Sequence, residues 1–522
     1  MYDLFWTVLY EEDGADCELS GSYELQQGEN HILCPLPACT IKQVIAEIHL
    51  ETDRNEAIFM NGYQTWTYCP EYTRNSLIRG LHGIAPALIR RYKFDGYADY
   101  HFVEYPARPG IVHGHSWCSF RKGSNVRLFA SLDEEPGYTM FTYLARPQSL
   151  VIQRDCAGIE FEGTYPIFDL YVDEGTEESV YDGWFRALPL KRIEAKPLYG
   201  YSSWYNRYQD INEAAIRQDL SGCKTIFQNG DLFQIDDGWQ MQVGDWDCNP
   251  ERFPRGMKAS VEDIHDKDFK AGLWLAPYSA QYRSQLIREH PDWLLQHNGK
   301  PWYAGCNWGG FFSLDIDNPG VQDYLKRTFD KIFNDWGFDL VKLDFLYGAA
   351  PWQTSGGRFD GESRGGRMCR AMDYLREWCG DGLILGCGVP LGPAFGKVEY
   401  CRIGCDASLD WNNVPLMRNV NREYPSTKHA ILNTFYRRGL DGRAFLNDPD
   451  VFFLRKDNIK LTEEQKDLHA RVLAQYGSFF LTSDNMGDYD REQRTHYGQL
   501  RELWQKKDWT DRHFLDWISK YK

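Results

Sequence analysis

The sequence predicts an α/β protein in which a (β/α)8 TIM barrel follows an antiparallel β-sandwich. Two changes of texture and one count carry this. Up to about residue 183 the chain reads as short alternating segments broken by Gly, Pro and Asn. From residue 199 short apolar runs alternate with amphipathic helical patterns, and eight such runs fall between residues 199 and 481. In the first region, residues 41–50, 127–132, 138–144 and 167–172 alternate apolar and polar side chains, as half-buried strands do. They define a sandwich domain over residues 1–187. Residues 188–197 hold Pro189 and Pro197 with Lys191, Arg192 and Lys196, which reads as a linker to a barrel domain over residues 198–522.

The eight barrel strands are expected at 199–203, 232–236, 272–276, 340–344, 383–387, 400–404, 444–447 and 478–481. Helical spacing fills 211–220, 321–336, 368–379 and 427–438, the second announced by the cap signal Asp317-Asn318-Pro319. An open doubly wound sheet is the competing architecture. It needs a Gly-rich phosphate turn after the first strand, and Ser202-Ser203-Trp204-Tyr205-Asn206 is not one. After residue 481 the segment 491–506 reads as helix.

At 522 residues the chain is long enough for two or three cores. Hydrophobic residues make up 43% and charged residues 25%, the balance of a soluble globular protein. A net charge of −17 argues against nucleic acid or an anionic membrane as partner and fits a neutral substrate. Eighteen Trp and 32 Tyr supply flat apolar surfaces of the kind that pack on sugar rings. The first 13 residues carry no Lys or Arg ahead of an apolar core, unlike a signal peptide. Fourteen scattered Cys then read as reduced thiols in a cytoplasmic protein. Cys401 and Cys405 have no His nearby, and His113-x-His115 is a weak metal pattern, so no metal and no cofactor is expected. Assembly into a homo-oligomer is left open.

The chemistry starts at residues 338–345, FDLVKLDF. Val341, Leu343 and Phe345 share one side of the pleat, while Lys342 and Asp344 share the other. A buried strand tolerates such charges mainly where chemistry is done. In a barrel, active sites form at the carboxyl ends of the strands. There strand parity brings Asp236 with Asp237 from the second strand, Trp274 from the third, Lys342 and Asp344 from the fourth, and Arg402, Gly404 and Asp406 from the sixth. Taken singly, an Asp could cap a helix, Lys342 could be a structural ion-pair partner and Trp274 could be core. Divalent-metal binding competes for the carboxylates, but Lys342 and Arg402 already bring positive charge. Two carboxylates on separate strands, with no metal motif or phosphate loop, suggest glycoside hydrolysis. Lys342 beside Asp344 favours its ionised form and hence the nucleophile; Asp406 would hold the proton, helped by Asp344 and opposed by Arg402. Asp410 is the fallback donor.

These residues also resemble a known family. Phe233-Gln-Ile-Asp236-Asp237-Gly-Trp239, Gly272-Leu-Trp274-Leu-Ala-Pro277, Val341-Lys342-Leu-Asp344-Phe345, Gly386-Cys387-Gly388, Arg402-Ile-Gly-Cys-Asp406, Leu446-Asn-Asp448-Pro and the earlier Asn61-Gly-Tyr63-Gln-Thr-Trp66 resemble glycoside hydrolase family 36, the α-galactosidases, in its shorter bacterial form. The resemblance implies a retaining exo-α-galactosidase acting on oligosaccharides, with Asp344 as nucleophile and Asp406 as acid and then base. It implies galactose hydroxyls held by Asp236 and Asp237 beside Lys342, with Arg402 near the 2-hydroxyl. Trp204, Tyr205 and Trp274 would wall the pocket, Trp66 would reach in from the sandwich, and Cys387 would line the sugar site. Tandem carboxylates suit an axial 4-hydroxyl and the 6-hydroxyl together, and would be left unpaired by a glucoside. An α-N-acetylgalactosaminidase, a galactosyl-transferring enzyme, or a galactose-binding protein without turnover are the alternatives. The short chain after the barrel departs from the family, whose members usually end in a small β domain.

Overall fold

The computed structural model describes residues 2–520, apart from residues 93, 97–98, 101, 192–193, 298, 352–361 and 413–420. Arg192, within the expected linker, therefore lies outside the described residues, as do the terminal positions 1 and 521–522.

The N-terminal region is an antiparallel sheet of eleven strands. Two long strands, Gly28–His49 and Ile159–Thr176, pair through its centre, with register breaks at Phe161/Gly163 and Pro166/Phe168. Such breaks bend a ladder, and the sheet folds over on itself. Phe120 and Tyr143, on strands that are not neighbours in the sheet, meet ring to ring at 5.1 Å inside the fold. Inward positions such as Ile32, Cys34, Ile41, Val44 and Ile48 build that core.

The second region is a parallel sheet whose order, read round, closes a barrel. Its strands are Leu198–Ser202, Leu232–Ile235, Lys270–Leu275, Leu340–Leu343, Leu383–Gly386, Tyr400–Arg402, then a seventh in two pieces, and Phe479–Thr482. The seventh is Leu446–Asp448 and Val451–Phe452, so it begins later than the sequence indicates and is interrupted at Pro449-Asp450. Pro449 has no N–H to give a ladder, and Asp450 adopts φ 76, which a strand cannot. The first piece pairs with the sixth strand and the second with the eighth, so the break sits where the barrel closes.

The expected helices form at Glu213–Lys224, Pro319–Asp330, Arg364–Cys379 and Thr427–Tyr436. The Asn318 side chain accepts the Gly320 N–H, as the cap signal indicates. That helix continues as a π turn, Lys331–Trp336, and stops at Gly337 with φ 86. The segment after the last strand is helical at Arg491–Lys506 and again at Arg512–Ser519. Among the described residues, no helix is long and apolar enough to cross a membrane.

The two regions share a core in which Trp117 and Trp184 of the first meet Phe395 of the second. Among the polar joins is Arg437, fully buried, which donates to Asn61 Oδ1, Gln64 O and Thr65 O of one sandwich loop and to Ile403 O beyond the sixth strand. Arg437→Met strands four buried acceptors at once, each costing about 1–3 kcal/mol when left unpaired. We expect it to lower unfolding stability by about 3 kcal/mol or more in denaturant titration. A loss below about 1 kcal/mol would mean that water replaces the guanidinium.

Candidate active site

One pocket of about 350 Å³ opens at the carboxyl ends of the barrel strands, within the usual range for small-molecule sites. Asp236, Asp237, Trp274, Lys342, Asp344 and Asp406 line it, as do Trp204 after the first strand and Trp66 from the sandwich loop. Eight of the eleven residues singled out from the sequence therefore meet in one place.

Asp344 follows the fourth strand directly. Its Oδ2 accepts the Trp274 indole N–H at 3.0 Å and its Oδ1 accepts the Phe345 N–H at 2.9 Å, so each oxygen is aimed and keeps a lone pair free. Trp274 and Lys342 are register partners on adjacent strands, which puts all three groups on one inner surface. Lys342 pairs with Asp236 at 2.9 Å, beside which the resemblance placed it, because its long side chain reaches the second strand, and it remains a neighbour of Asp344. Asp236 also accepts Gln234 Nε2 at 2.9 Å and its neighbour's N–H at 3.0 Å. Burial lowers the pKa of Lys342, but Asp236 and then Asp344 more than reverse this and hold it charged. Asp237 is gripped by Gln209, Gln240 and the Trp308 indole at 2.6–2.9 Å. Burial raises its pKa against these three donors.

Asp406 stands on the loop beyond the sixth strand, deep in protein but with about two-fifths of its side chain open to the pocket. Burial pushes it up to about 6; Arg402 and Lys342 pull down, while Asp450 and Asp344 push up. A carboxyl poised there can hold a proton near neutrality.

Three expected pocket residues stand behind the wall instead. Arg402 is buried and divides its guanidinium among Asp406 Oδ1 at 2.9 Å, Asp448 Oδ2 at 3.0 Å and Asp450 Oδ1 at 3.0 Å. Tyr205 turns its hydroxyl to Asp450 at 2.6 Å. Cys387 accepts the Trp66 indole N–H on its sulfur at 3.4 Å. Strand parity placed Arg402 on the inner surface but not at its top, and Tyr205 and Cys387, expected from the resemblance, likewise meet these partners and do not line the cavity. Asp410 lies away from the pocket, 3.8 Å from Lys460 Nζ. His113 and His115 are buried among aromatic rings, the first bonded to Thr142. Among the described residues no cluster of three or more His, Cys, Asp or Glu could hold a metal.

Further walls of the pocket lie outside the strand pattern. Phe345, assigned there to the outer side, has φ 54 and lines the pocket, 5.1 Å from Trp66 and 4.8 Å from Trp308. The strand ends at Leu343, so the alternation no longer applies. Asn307 and Trp308 come from an excursion after the third strand that builds its own small sheet, Ser279–Gln281, Phe311–Ser313 and Tyr303–Gly305. A Trp flanked by Gly309-Gly310 was the available signal. Glu423, which accepts the Thr67 hydroxyl at 2.9 Å, has no periodic context that marks it.

Comparison with known proteins gives a consistent result. Residues 192–350 match the family model described as Melibiase. Among curated proteins, "Probable alpha-galactosidase C" of Aspergillus flavus is 34% identical over 161 residues, 28% of this chain and 21% of that protein. "Alpha-galactosidase Mel36A" of Lactobacillus acidophilus is 28% identical over 150 residues, 27% of this chain and 20% of that protein. The match thus spans about a fifth of the length of these curated relatives. Among solved structures, the α-galactosidase TtGalA from Thermus thermophilus, in complex with stachyose, superposes with a TM-score of 0.73 at 26% identity, over 94% of this chain and 98% of that one. The GH36 α-galactosidase AgaA from Geobacillus stearothermophilus shares the fold at a TM-score of 0.59 and 13% identity, over 94% of this chain and 68% of its own.

Proposed function

We propose, from the chain's membership of glycoside hydrolase family 36, that it is a retaining exo-α-galactosidase that releases terminal α-linked galactose from oligosaccharides. The observation that carries this reading is one sugar-sized pocket lined by both Asp344 and Asp406. An Asp344 oxygen attacks the anomeric carbon as the bond to the glycosidic oxygen breaks, and Asp406 gives that oxygen its proton. Water then attacks the galactosyl ester, returns a proton to Asp406 and frees Asp344. Two N–H donors aim the Asp344 carboxyl into the pocket, and Lys342 stands close by on the same inner surface.

Asp236 and Asp237 supply buried acceptors beside these acids, suited to neighbouring galactose hydroxyls. Trp66, Trp204, Trp274 and Trp308 offer apolar faces to the ring. TtGalA was solved with stachyose, and an oligosaccharide of that type is the substrate class we assign. All fourteen cysteines are free thiols, which supports a reducing compartment such as the cytoplasm.

The test is a panel of aryl glycosides with product analysis by ¹H NMR. Turnover of the α-galactoside with α-galactose as first product is expected, faster than for the N-acetylated analogue or the α-glucoside. First release of β-galactose would overturn the retaining mechanism. Faster turnover of the N-acetylated analogue would overturn the substrate assignment.

A further inference from the structure

We infer that Asp450 is a positioning residue for the proton donor, holding Asp406 from two sides through Arg402 and through the backbone of Ala407. This rests on the α-galactosidase reading above and adds to it a residue that does not line the pocket. Asp450 sits at the break in the seventh strand and is buried, with 2% of its surface exposed. Its Oδ1 faces Arg402 Nη2 at 3.0 Å. Its Oδ2 accepts the N–H of Ala407, the residue after Asp406, at 2.7 Å and the Tyr205 hydroxyl at 2.6 Å. One carboxylate thus fixes both the cation that touches Asp406 and the loop that carries it.

The conformation is costly in itself. Asp450 adopts φ 76, a region that non-glycine residues occupy at a penalty of about 1–3 kcal/mol unless their surroundings impose it. Here the carboxylate ligands impose it, and the chain gives up continuity of a barrel strand to put them there.

The arrangement also answers an electrostatic problem. Arg402 alone beside Asp406 would strip its proton, since a neighbouring guanidinium favours the carboxylate. Asp448 and Asp450 already balance Arg402, so Asp406 faces a cation whose charge is largely spent. The other charged groups facing Asp406 are Lys342, itself paired with Asp236, and Asp344 across the pocket; Glu423 lines the same cavity. Tyr205, Tyr208, Cys387 and Cys405 pack round it with raised pKa values and stay neutral at working pH.

The experiment is the kcat–pH profile of Asp450→Asn on two α-galactosides, one with a nitrophenol and one with a sugar leaving group. Asn tolerates the left-handed region and can still accept from Ala407 and Tyr205. It removes one negative charge and presents an N–H toward Arg402. The alkaline limb is expected to move down by about one pH unit, and the rate loss to be larger for the sugar leaving group than for nitrophenol. Asp450→Glu, which keeps the charge, should hold the limb within a few tenths of a unit of the wild type. Asp448→Asn removes the other counter-charge of Arg402, moves the limb the same way, and serves if Asp450→Asn does not fold. An alkaline limb unmoved in a folded charge-removing variant, with equal losses on both substrates, overturns the inference while leaving the galactosidase reading intact. A wild-type protein with no turnover of either substrate overturns both.

Discussion

Asp344→Ala is expected to lower kcat on an aryl α-galactoside by at least about 10⁴-fold, since it removes the atom that forms the covalent intermediate. Fold should survive, because Asp344 caps no helix and its two protein donors, the Trp274 indole and the Phe345 amide, belong to residues that line the pocket. The sharper readout is chemical rescue. Azide is small enough to enter the space left by the carboxylate and attack the anomeric carbon from that face, while the aryl oxide leaves. The product is then β-galactosyl azide, inverted relative to the substrate, and its appearance identifies the missing group as the nucleophile. A variant that keeps its rate within about tenfold, or that azide accelerates to the α-azide, would sink the assignment.

Asp406→Ala is expected to cost about 10²–10⁴-fold with a sugar leaving group and far less with dinitrophenol, whose oxygen departs without a proton. The pH dependence gives an independent check. Burial holds Asp406 up to about 6, and the protonated form is the donor. In the wild type, kcat/KM for a sugar leaving group should therefore fall as pH rises through about 6, because the donor is lost. The Ala variant has no group to lose there, so that limb should vanish from its profile. If the limb stays in place, another group donates the proton. Asp410 would then be tested next, although it lies outside the pocket.

Much of the architecture was legible in the residues. Short apolar runs of even spacing, divided by helical stripes, correspond to the barrel strands within a few residues, and the Asn318-Pro319 cap begins its helix as expected. These signals are local: a strand or cap is written in the residues that form it. Strand parity likewise carried Lys342 and Trp274 to one inner surface, because alternation holds as long as the strand does, and it extended to Asp236 and Asp344, each the first residue past its strand.

It failed where the strand ended. Phe345 took a left-handed turn into the pocket, and the seventh strand broke at Asp450. Long reach and convergence were the other unreadable features. Lys342 reached Asp236 two strands away, and Arg402 gathered carboxylates from two strands instead of lining the cavity. Local residue order thus sets which elements form and which charged side chains point inward, since both follow from neighbours along the chain. Long-range packing selects which of those charges stay open to a ligand and which neutralise one another beneath it. That choice depends on distances between residues 46 to 106 positions apart, as in the Arg402–Asp448 and Lys342–Asp236 pairs, which no local pattern encodes.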